Sequence, residues 1–297
     1  MELRIGEFAA LFTAVCWTIT ALAFESASRK VGSVSVNIIR LLMAFLLLSL
    51  LSYFRRGMFF PLDATAHNWF WLLLSGLTGF VIGDLFLFKS FTIIGSRLSM
   101  LVMTLVPPIA ALIGWLIMGE QLSWLNMLGM ALTLSGIALV IINRQKILVA
   151  SAGKMPAKGL LFAIGGAVGQ AGGLVLSKFG MAGYDAFSAT QIRVIAGIVG
   201  FAIIVHFFRR WQAAGNALKN RKAMLLMLLG ATFGPFLGVS SSLIAVQNTA
   251  IGIASTIMAI TPILIIPPTL IFFKQKVSWP EVAGAIISVS GVALFFV

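Results

Sequence analysis

The chain is 297 residues long, 60% of them hydrophobic and only 10% charged, with a mean hydropathy of +1.06. That balance excludes a soluble globular domain, whose surface needs far more water-compatible groups. Twenty-one Lys and Arg against eight Asp and Glu give 21 − 8 = +13. The basic residues sit in short gaps between apolar runs, so they read as topology signals and headgroup contacts, and not as a nucleic-acid surface.

A spanning helix needs about 20 mostly apolar residues, and runs of that kind lie near 6–25, 35–54, 68–93, 98–118 and 124–142. A polar stretch from Asn143 to Lys158 follows, and then five more runs near 159–177, 187–208, 224–248, 254–273 and 280–297. The first run mimics a signal peptide, since Ala21-Leu22-Ala23 has the small-x-small form of a cleavage site. Arg4 is mixed with Glu2 and Glu7 ahead of it, however, and the run has a counterpart later in the chain, so it reads as part of the fold. Continuous hydrophobicity without period-two alternation excludes a β-barrel. The expected fold class is therefore all-α integral membrane, with ten transmembrane helices. The single cysteine, Cys16, lies inside an apolar run, which rules out a disulfide framework or a cysteine-based metal site.

Sliding the second half over the first exposes a repeat. Pro107 pairs with Pro262 at a shift of 262 − 107 = 155, and the same shift pairs Gly79 with Gly234, Gly83 with Gly238, Ser123-Trp124 with Ser278-Trp279 and Gly129 with Gly284. Earlier in the unit the shift is 153, matching Ile39-Arg40 to Ile192-Arg193. The chain thus divides into a five-helix repeat over 1–142, a polar linker over 143–158 and a second five-helix repeat over 159–297. Five is odd, so two units that fold alike enter the membrane from opposite sides, as an inverted pair about a pseudo-two-fold in the membrane plane. Such a scaffold can close one side while opening the other, which is what alternating access requires.

Each unit ends in a proline-containing helix, a short polar turn and a glycine-rich last helix; the turns are Gly119-Glu120-Gln121-Leu122-Ser123-Trp124 and Lys274-Gln275-Lys276-Val277-Ser278-Trp279. Over nearly its whole length the chain resembles the EamA family of the drug/metabolite transporter superfamily. The spacing from Pro107 to Gly119-Glu120 is the most specific piece of the likeness, and the second half departs from it with Lys274-Gln275 where the family usually has Gly-Glu. The resemblance implies a ten-helix secondary transporter of small metabolites with a central cavity between the halves. The reading is an exporter working by alternating access with proton coupling, in the cell (inner) membrane, with a channel or a non-transporting receptor as the alternative. Its partners are then a small-molecule substrate and the lipid bilayer, without nucleic acid or cofactor, and monomer and homodimer both fit. No nucleophile elbow, zinc signature, Walker loop or dinucleotide fingerprint points to an enzyme or an ATP-driven pump.

A charge inside a span costs about 2.5–3.5 kcal/mol at its centre, so each needs a reason. Asp84 lies deep in the third span opposite Val239 in the other repeat, and reads as a coupling or binding carboxylate, or else as a helix–helix hydrogen-bonding residue. Arg40 and Arg193 occupy equivalent positions from which they could grip an anion from both sides; each is also about one and a half turns into its helix, and snorkelling to the interface is the favoured reading. Lys89 reads as snorkelling too. Gly165, Gly166, Gly169, Gly172 and Gly173 thin the sixth span for close packing, with Gln170 projecting from its middle and Trp17 at the equivalent place, 170 − 17 = 153, both as cavity walls. Pro107 and Pro262 each remove a backbone hydrogen bond within a span and are candidate hinges. Gly129, Thr133 and Gly136, like Gly284, Ser288 and Gly291, form one packing stripe per last helix. His67 and His206 lack a second ligand at metal spacing, so no metal site is expected.

Two arguments about orientation oppose each other. Loops after odd-numbered spans hold most of the basic residues, including Arg29, Lys30, Arg209, Arg210, Lys219, Arg221 and Lys222, against Arg4, Arg55, Arg56 and Lys178 on the other side. By the positive-inside rule both termini are external, whereas the family resemblance implies cytoplasmic termini.

Overall fold

The computed structural model describes residues 4–152, 156–265, 267–268 and 278–296, and among them every regular element is helical. Helix α1 (Ile5–Val31) is separated from α2 (Ser33–Arg56) by one residue, Gly32, whose φ of 83° only glycine adopts at little cost. After a loop, Thr65 opens α3 (Ala66–Gly76) with a reciprocal capping box to Asn68. The third span then continues through a π turn (Leu77–Gly83) into α4 (Asp84–Val102), which is interrupted where Gly95 takes φ 81° and ψ 161°. A 3₁₀ turn (Met103–Leu105) leads into α5 (Val106–Met118), and α6 (Trp124–Ala152) completes the first half. Residues 143–152, the start of the polar linker, continue α6 as helix.

The second half repeats the pattern: α7 (Ala157–Met181), α8 (Ala186–Phe207), a short amphipathic α9 (Trp211–Leu218), and α10 (Arg221–Ala231). A second π turn (Thr232–Gly238) joins α10 to α11 (Val239–Asn248), followed by α12 (Ile251–Met258), α13 (Thr261–Leu264) and α14 (Trp279–Ala293). The two π turns are displaced by 232 − 77 = 155 and 238 − 83 = 155, the same shift found in the sequence. Six helical stretches among the described residues are long and apolar enough to cross a membrane, with shorter apolar helices at Met103–Met118, Trp124–Leu139 and Val282–Ala293. Large side chains such as Phe8, Leu46, Phe54, Leu161 and Phe207 are exposed on the outside, where lipid is their solvent.

In lipid the helices gain little from apolar burial against each other, so close backbone approach and hydrogen bonds must hold them. The glycines of α7 meet the π turn of the other half: a Cβ on Gly169 would lie 2.7 Å from Gly83 Cα, and one on Gly173 would lie 2.8 Å from Gly79 Cα. The equivalent packing recurs between α1 and the second π turn, where Gly234 faces Thr20 and Gly238 faces Trp17. Helices α2 and α8 pack on each other, and so do α6 and α14. The latter pair interlocks through its two small-residue stripes, with Gly136 against the Gly284 carbonyl and Gly291 against Thr133. Each half thus supplies its first helix to the third span of the other.

At one face of this bundle Glu120, just after α5, accepts from the Ile251 amide at 2.8 Å and pairs with Lys178 at 2.6 Å, so it caps α12 from 131 residues away. Lys178 also donates to the Thr249 carbonyl at 2.8 Å. Arg56, Asp63, Tyr184 and Ser188 tie the two halves together at the same end of α2 and α8. Burial alone pushes the Asp63 carboxyl up, but donation from Tyr184 and Arg56 outweighs it and holds the carboxyl below the ordinary carboxylate range.

Candidate substrate cavity

A cavity of about 120 Å³ lies where the two halves meet. Its walls come in pairs related by the repeat. At a shift of 153 they include Trp17 with Gln170, Ala21 with Leu174 and Arg40 with Arg193; at 155 they include Phe80 with Pro235, Asp84 with Val239 and Met103 with Met258. The cavity is therefore built by both repeats from equivalent positions.

Its polar centre is asymmetric. Asp84 is the first residue after the π turn, and its amide donates to the Gly79 carbonyl five residues back, the spacing that defines such a turn. The extra residue in the turn sets the carboxylate toward α2 and α7. Arg40 Nη2 donates to Asp84 Oδ2, and both side chains are buried, 4% and 8% exposed. Gln170 Nε2 donates to the other oxygen, Asp84 Oδ1, at 2.5 Å. Arg40 is held in turn by Asn37, one turn earlier in α2, whose Oδ1 accepts from Arg40 Nε at 3.0 Å. Its guanidinium lies 4.7 Å from the centre of the Phe88 ring and 5.3 Å from that of Phe24, distances at which a desolvated cation is attracted by the ring faces.

Neither arginine snorkels. Arg40 and Arg193 are 3% and 4% exposed, because each finds the interior of the α2–α8 pair and not the interface. Arg193 lies 5.0 Å from the centre of the Phe80 ring, yet its Nε is buried without a hydrogen-bond partner. Lys89 is exposed and has no part in the cavity.

The proline sites differ from the expectation in one respect. Pro107 sits in the first turn of α5 directly after the 3₁₀ turn, so no bond within that helix is lost; the break precedes it. Pro262 occupies the first turn of α13 after a turn at 259–260, again a shift of 155 from 104–105, while its side chain lies outside the described residues. Among the described residues no group of three His, Cys, Asp or Glu could hold a metal ion.

Sequence reasoning passes over the aromatic box of Phe24, Phe80, Phe88 and Phe91, and over Asn37. A signal for both exists: Phe24 is seven residues from Trp17 on the same helix face, and Asn37 is three residues from Arg40. Ser242 also lines the cavity, whereas Ser240 is turned to Thr190 at 3.2 Å.

The fold has known counterparts. A solved protein structure superposes with a TM-score of 0.70 over 98% of this chain and 96% of that one, at 15% sequence identity. That likeness establishes the shared fold alone. No match is found among the curated proteins. The profile of the EamA-like transporter family matches twice, over residues 4–142 and 157–297, leaving residues 1–3 and the joint between the halves uncovered. With a two-repeat helical bundle, apolar stretches long enough to span a membrane and both halves matched, the chain is a multi-pass membrane protein that belongs to the EamA-like transporter family.

Proposed function

We propose that this protein is a secondary active transporter that exports a small metabolite by alternating access, with ten spanning helices arranged as two inverted five-helix repeats and with Asp84 as the proton-coupling carboxylate. One observation carries the reading: the central cavity is lined by residue pairs related by the repeat. In an inverted pair, two near-equivalent packings exchange which half leans on the cavity, so a site on the pseudo-two-fold is reachable from either side. The helix breaks support this, because Gly95, the 3₁₀ turn and the two π turns are interruptions at which segments beside the cavity can pivot. Pro107 and Pro262 mark the equivalent breaks. Asp84 suits coupling because it is the sole acid among the described residues of the cavity walls, and its protonation would release both Arg40 and Gln170.

The test is flux in proteoliposomes loaded with a mixed metabolite pool, followed by mass spectrometry with and without an imposed proton gradient. A subset of solutes should move saturably against their own gradients. In Asp84→Asn, concentrative movement should disappear while exchange at equilibrium persists. Concentrative movement retained in that variant removes Asp84 from coupling, flux without saturation favours the channel reading, and binding without flux favours a receptor.

A further inference from the structure

We infer, resting on the carrier reading above, that the cavity selects a small monoanion with an apolar body, and that Arg193 alone holds its carboxylate. Among the described residues three charged side chains line the cavity, Arg40, Asp84 and Arg193, and together they leave one positive charge in excess. Both carboxylate oxygens of Asp84 are already engaged, Oδ2 by Arg40 and Oδ1 by Gln170. Arg40 is committed to that pair and to Asn37. Arg193 makes no hydrogen bond or ion pair among the described residues; it is 4% exposed and its Nε is enclosed without a partner.

An arginine taken out of water without a partner is costly, and the cost is relieved by an anion that meets the planar guanidinium through two hydrogen bonds. One negative charge balances the site. A cation would add to the excess, a dianion would overshoot it, and a zwitterion, with no net charge, would leave it in place. The rest of the wall is largely apolar, with Phe24, Phe80, Phe88, Phe91 and Met100, and the hydroxyls of Thr20, Ser242, Ser255 and Thr261 within it each donate to a nearby backbone carbonyl, so it offers little to a polyhydroxylated solute. The cavity volume of about 120 Å³ is near the roughly 150 Å³ at which an apolar protein cavity accepts benzene, so one ring or a short branched chain fits. This narrows the two-sided grip read from the symmetry of Arg40 and Arg193: one arginine is spent on Asp84 and the other is available.

Benzoate, benzyl alcohol and benzylamine share one ring and differ in charge, so they isolate the selection. Their binding to the purified full chain in detergent, followed by thermal shift and by calorimetry, should favour benzoate at least tenfold over the other two. Arg193→Gln should lose at least tenfold in benzoate affinity while leaving benzyl alcohol unchanged, and Arg193→Lys should recover part of the loss. Equal or tighter binding of benzylamine or benzyl alcohol overturns the inference, as does undiminished benzoate binding in Arg193→Gln or the failure of wild type to bind benzoate at all. Should Arg193→Gln not fold, the wild-type series decides alone. Failure of the carrier reading would look different: benzoate would bind with the predicted selectivity yet would not exchange across proteoliposomes holding the protein.

Discussion

Arg40 and Arg193 are related by the repeat, equally buried, and opposite in what they are tied to. Removing Arg40 leaves the Asp84 carboxylate enclosed without the partner that faces it, a change that costs about 3–5 kcal/mol for a buried pair. Removing Arg193 takes away a cation whose Nε is buried without an acceptor and which attracts Asp84 without a hydrogen bond to it among the described residues. Arg40→Gln should therefore lower the Tm of the ligand-free protein substantially, whereas Arg193→Gln should leave it equal or raise it. Equal losses would mean that Arg193 has a structural partner after all. This asymmetry could not be read from the chain, because both arginines have the same depth in their helices, and the residue that distinguishes them, Asp84, stands 44 positions from Arg40. A second residue-scale consequence lies outside the spans, at Asp63. Its folded-state pKa is depressed, so the unfolded chain binds the proton more tightly and stability rises with pH through that range. The contribution is present above the ordinary carboxylate value of about 3.9 and is lost as pH falls through the lower folded value. Since Asp63 is exposed to solvent and Arg56 partly so, screening keeps the effect small. A pH series of thermal melts should show a shallower fall below about pH 4 in Asp63→Asn than in wild type; identical slopes would count against it.

At the scale of elements, glycine is what lets α7 reach the third span. The small-residue pattern of α7 is legible in the sequence, and so are the glycines at 79, 83, 234 and 238, because a repeat shift aligns them. The π turns they belong to are not legible. An i to i+5 bond is set by how the turn must accommodate a backbone pressed against it, and local propensity carries no trace of that. The break at Gly95 is similar: one glycine in a helical run is ordinary until the chain around it demands φ 81°. The packing can be tested within α7 itself. A Cβ on Gly169 meets backbone, Gly83 Cα at 2.7 Å, and neither chain can step aside locally. A Cβ on Gly172 meets only the Thr78 methyl at 3.3 Å. Gly169→Ala should cost about 1–3 kcal/mol and, by displacing the turn that precedes Asp84, weaken its bond to Gln170. Gly172→Ala should be close to neutral by the same thermal assay, and comparable losses at both positions would refute the glycine-contact account.

Over the whole molecule, the antiparallel register of α1 against α10 and α11 fixes which charges share a face. Phe24 packs at Gly230, Thr20 at Gly234 and Trp17 at Gly238, so the start of α10 at Arg221 stands at the end of α1 that carries Arg29 and Lys30. Helix α9, which precedes it, presents Trp211 and Leu218 outward between Arg209, Arg210 and Lys219, a composition suited to lying in the headgroup layer of an anionic leaflet. At the opposite face Arg4 donates to the Phe295 carbonyl at 2.8 Å, bringing the start of α1 and the end of the last helix together. There the basic residues Arg55, Arg56 and Lys178 are each paired with an acid, Asp185, Asp63 and Glu120, whereas no acid neutralises Lys30, Arg209, Arg210, Lys219, Arg221 or Lys222 among the described residues. From the positive-inside rule we propose that the α9 face is cytoplasmic and both termini are outside. A C-terminal fusion to a reporter active only outside the cytoplasm should be active, and one to a protein fluorescent only in the cytoplasm should be dark. The reverse result would show that the family orientation overrides the charge count. Replacing Arg209, Arg210, Lys219, Arg221 and Lys222 by Gln should shift the balance between the two reporters if those charges set the topology, and leave it unchanged if they do not.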